Sequence, residues 1–375
     1  MAFGKPRTRI SPIAIDFGAD SLKLLQIVPG DTPELVALGS EPLPESARSD
    51  LHGRFEFLSD ALPSLLRRHP FKNRRVMLST PASQTLVHNL LINRCDPSEI
   101  DNQVDLALRE RLNVEPNRMV IRNYPGCDVV RDSRPMQEVI TFAVGRDIVM
   151  RTVDLMSRLK LEVDGMHCEA ACVLKAFGHL FTARSGEAAA RPVAYVDLGA
   201  ATSKIIVAEG QKMLLAKTVH AGGDQWTRRL ATQRKVEFAE ARMIRMAGGD
   251  GGAATAVAEP DLDLDFDDTH TSAGSTSRCD TLECLEDELR MTFRHHDARH
   301  PDRPIEKLVF IGGEATGLKT CQALARAVNV PAQLGDPLAR LSRINAGNGW
   351  VGVDLTQSQP AWAVALGLCL SDANL

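Results

Sequence analysis

Two segments far apart in the chain carry the same phosphate-gripping set of residues. The first is Ile13-Ala-Ile-Asp16-Phe-Gly18-Ala-Asp-Ser21-Leu-Lys23; the second is Ala194-Tyr-Val-Asp197-Leu-Gly199-Ala-Ala-Thr202-Ser203-Lys204. Each reads as an apolar strand ending in Asp, a turn of Gly and small residues with hydroxyls, and a second strand. Gly lets backbone come close to a phosphate, and successive turn N–H groups form an anion-binding concavity. An Asp at the strand end suits the water shell of Mg²⁺, which prefers oxygen ligands. One such segment is ordinary hairpin chemistry. Two of them, offset by 181 residues (197 − 16), are more specific when a Gly-rich strand–helix turn follows at Leu308-Val-Phe-Ile-Gly312-Gly313-Glu-Ala-Thr-Gly317. The expectation is a three-part nucleotide site.

Within it, Asp16 and Asp197 are the metal-water ligands. Gly18, Ser21, Lys23, Gly199, Thr202 and Ser203 surround the phosphates, and Gly312 and Gly313 let a base lie against backbone. Lys23 and Lys204 occupy alternate strand positions, where a solvated edge charge fits as well as a phosphate contact. His296 and His300 share a helix face at a spacing that suits a zinc pair, but no further ligand cluster accompanies them.

The elements that must position these residues need a large chain, and 375 residues with 44% apolar content suffice for two or three domains. A net charge of −4 argues against a nucleic-acid binder built on phosphate contacts, and 5% aromatics argue against stacking platforms. The eight cysteines lack zinc spacing and read as free thiols of a reducing cytosol. The longest apolar run, Pro360–Leu370, is too short for the roughly 20 residues of a membrane span.

Along the chain, residues 13–28 form the first strand pair, Leu35–Ala37 adds a strand, and Glu41–Ser46 is a linker. A helix over Phe55–Arg68 is kinked by Pro63. Asp96-Pro97-Ser98-Glu99 opens a helix to Leu112, with strands at Met119–Tyr124 and Glu138–Val144. Residues 45–145 thus form a small α+β unit inserted after the first phosphate hairpin. Helices at Asp147–Leu159 and Glu169–Phe181 lead to the second hairpin, which turns at Glu209-Gly210-Gln211. Further helices cover Val236–Met246 and Asp280–Arg294. Between them, residues 248–277 have the composition of a disordered acidic loop.

At this point the chain resembles the actin-like ATPase superfamily, and within it the PilM family of type IV pilus assembly. The resemblance rests on Phe3-Gly-Lys-Pro with the first loop, and on Val196–Thr202 with Gly222-Gly223-Asp224-Gln225 after the hairpin. It continues through Ile311-Gly312-Gly313 to Gly317, Val330-Pro331, Asp336-Pro337 and Ala363-Val-Ala-Leu-Gly367. It implies an α/β, two-lobed, ribonuclease-H-like fold: a first lobe of 1–44 and 146–185, the insert at 45–145, and a second lobe of 186–375. It also implies ATP with Mg²⁺ in the cleft. Glu169 would orient the attacking water and Asp197 would share the catalytic role. Gly222, Gly223, Glu240 and Arg242 would hold base and ribose.

Two departures point to slow turnover at most. His167 stands where the family has Asp, and Ala239-Glu240-Ala-Arg242-Met243 lacks the family's Lys, for which Arg242 or Arg245 substitutes. The implied partner is a PilN-like inner-membrane protein that docks by a short cytoplasmic segment, alongside other pilus platform components. The implied place is the cytoplasm, at the inner face of the membrane and without insertion into it. Three rivals share the fold. An FtsA-like division protein calls for an amphipathic terminal helix, whereas this chain stops at Ser371–Leu375. A type II secretion component calls for a membrane helix after the domain. A small-molecule kinase calls for a catalytic base in a substrate pocket.

Overall fold

The computed structural model describes residues 10–48, 50–112, 115–181, 190–247, 281–342 and 353–374. It opens with three antiparallel strands, β1 (Ile13–Phe17), β2 (Ser21–Val28) and β3 (Glu34–Pro42). α1 (Glu45–Arg48) and α2 (Leu51–Arg68) follow. Asp50 caps α2 by accepting from the N–H groups of His52 (3.2 Å) and Gly53 (2.8 Å), and the helix runs on through Pro63. β4 (Arg75–Thr80) then pairs in parallel with β1.

That pairing moves the boundary expected at residue 45. Leu58, Leu62 and Leu65 of α2 share a core with Ile13, Ile15 and Val76, so α2 and β4 pack with the first sheet. The separate sheet begins only at β5 (Thr85–Asn93), followed by α3 (Ile100–Leu112), β6 (Met119–Arg131) and β7 (Arg134–Gly145). Its antiparallel order is β5-β7-β6, with Ile100, Val104 and Leu108 of α3 packed on Leu90 and Ile92. The hairpin between β6 and β7 turns at Asp132 and Ser133, both at positive φ, as a tight two-residue turn requires.

α4 (Arg146–Arg158) returns the chain to β8 (Glu162–Cys168), which completes a first sheet of order β3-β2-β1-β4-β8. α5 (Glu169–Phe177) leads into the second half, which opens with β9 (Val193–Leu198), β10 (Ser203–Glu209) and β11 (Lys212–Val219). Then come α6 (Gly223–Arg234), α7 (Phe238–Ala247), α8 (Thr281–Arg299) and β12 (Lys307–Ile311). α9 (Leu318–Val328), β13 (Ala332–Leu334) and α10 (Ala363–Cys369) end the described chain. The acidic stretch 248–277 lies outside the described residues.

The second sheet has order β11-β10-β9-β12-β13 and repeats the first: three antiparallel strands, then two added in parallel. Even the register repeats, since Asp16 lies opposite Lys23 and Asp197 opposite Lys204. α5 and α10 lie between the sheets in one shared core. Ala14 and Met77 of the first sheet, Tyr195 and Ile206 of the second, and Cys172, Val173, Ala365 and Leu368 of the helices all belong to it. The helices approach so closely that a Cβ on Gly367 would overlap the Cys172 carbonyl. Gly367→Ala is therefore expected to cost about 3 kcal/mol or more, because the clash is with backbone and cannot be relieved by a side-chain rotation. Urea denaturation of the two proteins measures it.

Candidate functional site

The loops after β1 and β9 line one cleft that is open to solvent. Asp16, Gly18, Ser21 and Lys23 come from the first loop; Asp197, Gly199, Thr202 and Lys204 come from the second. Glu169, at the start of α5, and Gly312 and Gly313, after β12, complete the wall with Arg242. Gly312 has φ 91°, a conformation other residues resist, and a Cβ there would overlap the Asp197 carboxylate. Gly313 faces open space, with nothing within 4 Å of an added Cβ.

Four of the anticipated site residues do not line the cleft. Ser203 is buried and donates to the Ala221 carbonyl (2.7 Å). Gly222 and Gly223 lie under the second loop: the N–H of Gly223 donates to the Gly199 carbonyl (3.0 Å) and that of Asp224 to Ala200 (2.8 Å). They brace the loop from behind. Glu240 is exposed on α7. Arg242 reaches the cleft, but it ion-pairs with Asp20 of the first loop.

The interior of the cleft is a charge cluster. Asp16 is buried and accepts from Ser79 Oγ (3.2 Å). Burial, opposed by Lys23 and reinforced by Glu169, pushes its carboxyl up to about 6. Lys204 Nζ sits between two acids, 2.8 Å from Asp197 Oδ2 and paired also with Glu169 Oε2. Burial works against its charge, yet Asp197 and Glu169 outweigh it and hold the ammonium well above the usual lysine range. The other oxygen of Glu169 accepts from the Ala82 N–H (3.0 Å). Both oxygens of Glu169 are thus engaged, and Asp197 already carries a cation. Of the two aspartates that the sequence suggested for Mg²⁺, only Asp16 is without an ammonium partner at ion-pair distance among the described residues.

Two arginines that sequence patterns did not flag, Arg54 and Arg48, hold the loops in place. Buried Arg54 of α2 donates from Nη2 to the carbonyls of Phe17 (3.1 Å) and Gly18 (3.0 Å), with its guanidinium 4.5 Å from the Phe17 ring centroid. Arg48 bridges the lobes: Nη2 donates to Asp20 Oδ1 (2.6 Å) and Nη1 to Asp224 Oδ1 (3.0 Å). Arg245 donates from Nη2 to Glu314 Oε1 (2.9 Å) and from Nε to Thr227 Oγ1 (3.0 Å). These partners are 18 to 176 residues apart, so no local spacing announces them. His167, the departure from the family pattern, meets the Asp372 carbonyl through Nε2 (2.9 Å).

Away from the cleft, His296 Nε2 meets the Arg303 carbonyl (2.8 Å), while His300 lies near Cys127 and Glu138. Glu138 is ion-paired with Arg299. The seven described cysteines are free. Among the described residues no helix is long and apolar enough to cross a membrane.

Two sheets of one topology, packed on a shared helix pair and closing on twin Asp-Gly loops, define an actin-like fold. The sequence of residues 14–255, more than half of the chain, matches the family of the type IV pilus assembly protein PilM. The chain belongs to that family. Its fold is similar to that of a solved PilM–PilN type IV pilus biogenesis complex, with 16% identity, a TM-score of 0.70, and 97% of this chain and 98% of that one covered. Lower likenesses are to MreB5 of Spiroplasma citri bound to AMPPNP (10% identity, TM-score 0.47, 96% and 95% covered) and to the cytoplasmic domain of EpsL. The latter is an inner-membrane component of the type II secretion system of Vibrio cholerae (14%, 0.33, 60% and 76%). No curated protein matches the chain.

The raised Asp16 carboxyl has a consequence for stability. Its ordinary value is 3.8 and its folded value about 6, so the folded state holds the proton more tightly. That advantage is full below pH 3.8 and is lost as pH rises through 6, leaving a buried charge at neutral pH. Asp16→Asn is therefore expected to stabilise the fold at pH 7.5 by up to about 3 kcal/mol, with the gain vanishing near pH 4. Thermal melts of both proteins across that range decide it.

Proposed function

We propose that the chain is an ATP-binding scaffold of type IV pilus assembly that docks a PilN-like membrane protein. The observation that carries the nucleotide reading is the pair of loops lining one cleft, with Gly18, Ser21, Gly199 and Thr202 on the same surface. Their backbone N–H groups and hydroxyls would grip the phosphates, and Lys23 would add charge. Gly313, with open space before it, would let the base lie on backbone. Asp16, the aspartate of the pair with no ammonium at ion-pair distance among the described residues, would be the place for any Mg²⁺ that accompanies the nucleotide.

An added Cβ at Gly313 meets nothing within 4 Å, so Gly313→Phe directs a ring into the cleft. It is expected to leave the melting temperature unchanged and to reduce ATP affinity at least about tenfold. Calorimetric titration with ATP tests it; equal affinity in both proteins would remove the base from this wall.

For the partner, the support is family membership and the likeness to a PilM–PilN complex. We place the docking of a short cytoplasmic PilN-like segment next to the insert, which exposes Leu86 on β5 and Leu106 on α3. Apolar anchors would supply the affinity, with basic peptide residues meeting nearby acids. The protein would work in the cytoplasm, drawn to the inner face of the membrane by that contact, with other platform components beside it. Leu86→Asp with Leu106→Asp is expected to abolish capture in a peptide pull-down. Undiminished capture would move the docking site off the insert.

A further inference from the structure

The two loops repeat in sequence, register and surroundings, and they differ in what their lysines do. Lys23 lies opposite Asp16 and lines the cleft, and among the described residues no carboxylate comes within ion-pair distance of it. Lys204 lies opposite Asp197 in the same register, but its ammonium is drawn between Asp197 and Glu169. The side chains of all three are nearly out of solvent, 12% exposed for Lys204, 10% for Glu169 and 7% for Asp197. Glu169 makes the difference. It enters on α5, and its second oxygen is fixed by the Ala82 N–H, so it presents one oxygen to the second loop.

We infer that Lys204 is the resident cation of the second loop: it takes up the two carboxylates that a divalent ion and a water would need, so the cleft holds nucleotide without depending on Mg²⁺. The inference rests on the nucleotide reading of the cleft proposed above.

Three considerations support it. A divalent ion on Asp197 would have to displace Lys204 and leave a buried ammonium with a single partner, which low-dielectric surroundings penalise heavily. Lys204 also offsets one of three carboxylate charges (Asp16, Asp197, Glu169) at the place where phosphate charge would arrive, which is the task a magnesium ion otherwise performs. Each oxygen of Glu169 already accepts one hydrogen bond, from Lys204 and from the Ala82 N–H, and the paired ammonium makes it a weaker acceptor for an attacking water. Phosphoryl transfer depends on such positioning, so the same arrangement that retains nucleotide also slows its hydrolysis.

The experiment compares ATP affinity in excess Mg²⁺ and in EDTA, by calorimetry, for the full chain and two variants. Lys204→Met keeps the apolar stem and removes the charge. Lys204→Met with Glu169→Gln also removes one of the acids left unpaired, so it reports even if the single variant does not fold. The full chain is expected to bind equally in both buffers, within about threefold. Each folded variant is expected to bind at least about tenfold more tightly in Mg²⁺ than in EDTA, because Asp197 is then free to join Asp16 around the ion. A full chain that needs Mg²⁺ overturns the inference and leaves the nucleotide reading intact. Variants that remain indifferent to Mg²⁺ also overturn it, since Lys204 would not be what keeps the metal out. A full chain that binds ATP in neither buffer removes the nucleotide reading, and the inference falls with it.

Discussion

The close contact of α5 with α10 is the constraint on which the site depends. The two helices share one core with both sheets, and Gly367 lets them approach until side chain from one would meet backbone of the other. Interiors packed at this density have little freedom to adjust. The consequence reaches the cleft directly. α5 begins with Glu169, and α10 with the turn before it supplies Val364 and Ala361, so the floor of the cleft is the end of the helix pair. Movement of one sheet relative to the other has to pass through this contact.

Charge is the second organising principle, and it is distributed unevenly. At the mouth, Asp20 is held by Arg48 and Arg242, and Arg48 continues to Asp224, so acids of both lobes share one guanidinium. Planar guanidinium groups suit such bridging because their donors diverge in a fixed geometry. Deeper in, Asp16 has no such partner among the described residues and carries the electrostatic cost of burial, whereas Asp197 is compensated by Lys204. A duplicated backbone thus supports two unlike halves: one loop retains an uncompensated acid and an available lysine, and the other is internally neutralised.

The insert is tied to the second lobe as well as to the first. Asn89 of β5 donates from Nδ2 to the Ala216 carbonyl (2.8 Å) and accepts from the Ala216 N–H (3.3 Å), while Glu138 of β7 pairs with Arg299 at the end of α8. An amide that satisfies both backbone groups of one residue imitates a strand partner and fixes the distance between the two sheet edges. A ligand on the insert would therefore bear on an element already fastened to the second lobe.

Much of this architecture was legible in the chain because it is local. Apolar strands ending in Asp-x-Gly, hydroxyls in the turns and the Gly312-Gly313 pair are short-range patterns, and the order of elements along the chain follows from them. The limits of helices and strands were approached for the same reason, with β3 and β6 longer than propensity suggested because pairing with β2 and β7 extended them. Other features were decided only in three dimensions. β4 joined the first sheet because β1 offered a parallel edge and α2 a shared core. Gly222 and Gly223 became supports behind a loop, and Glu240 turned to solvent. The roles of the two lysines could not be told apart from sequence, since both follow their aspartates at the same spacing. What separates them is a glutamate 35 residues from Lys204 in the chain, brought to it by the packing of α5 against α10. Electrostatic partnership is set by distance in space, and at that range sequence carries no direct record of it.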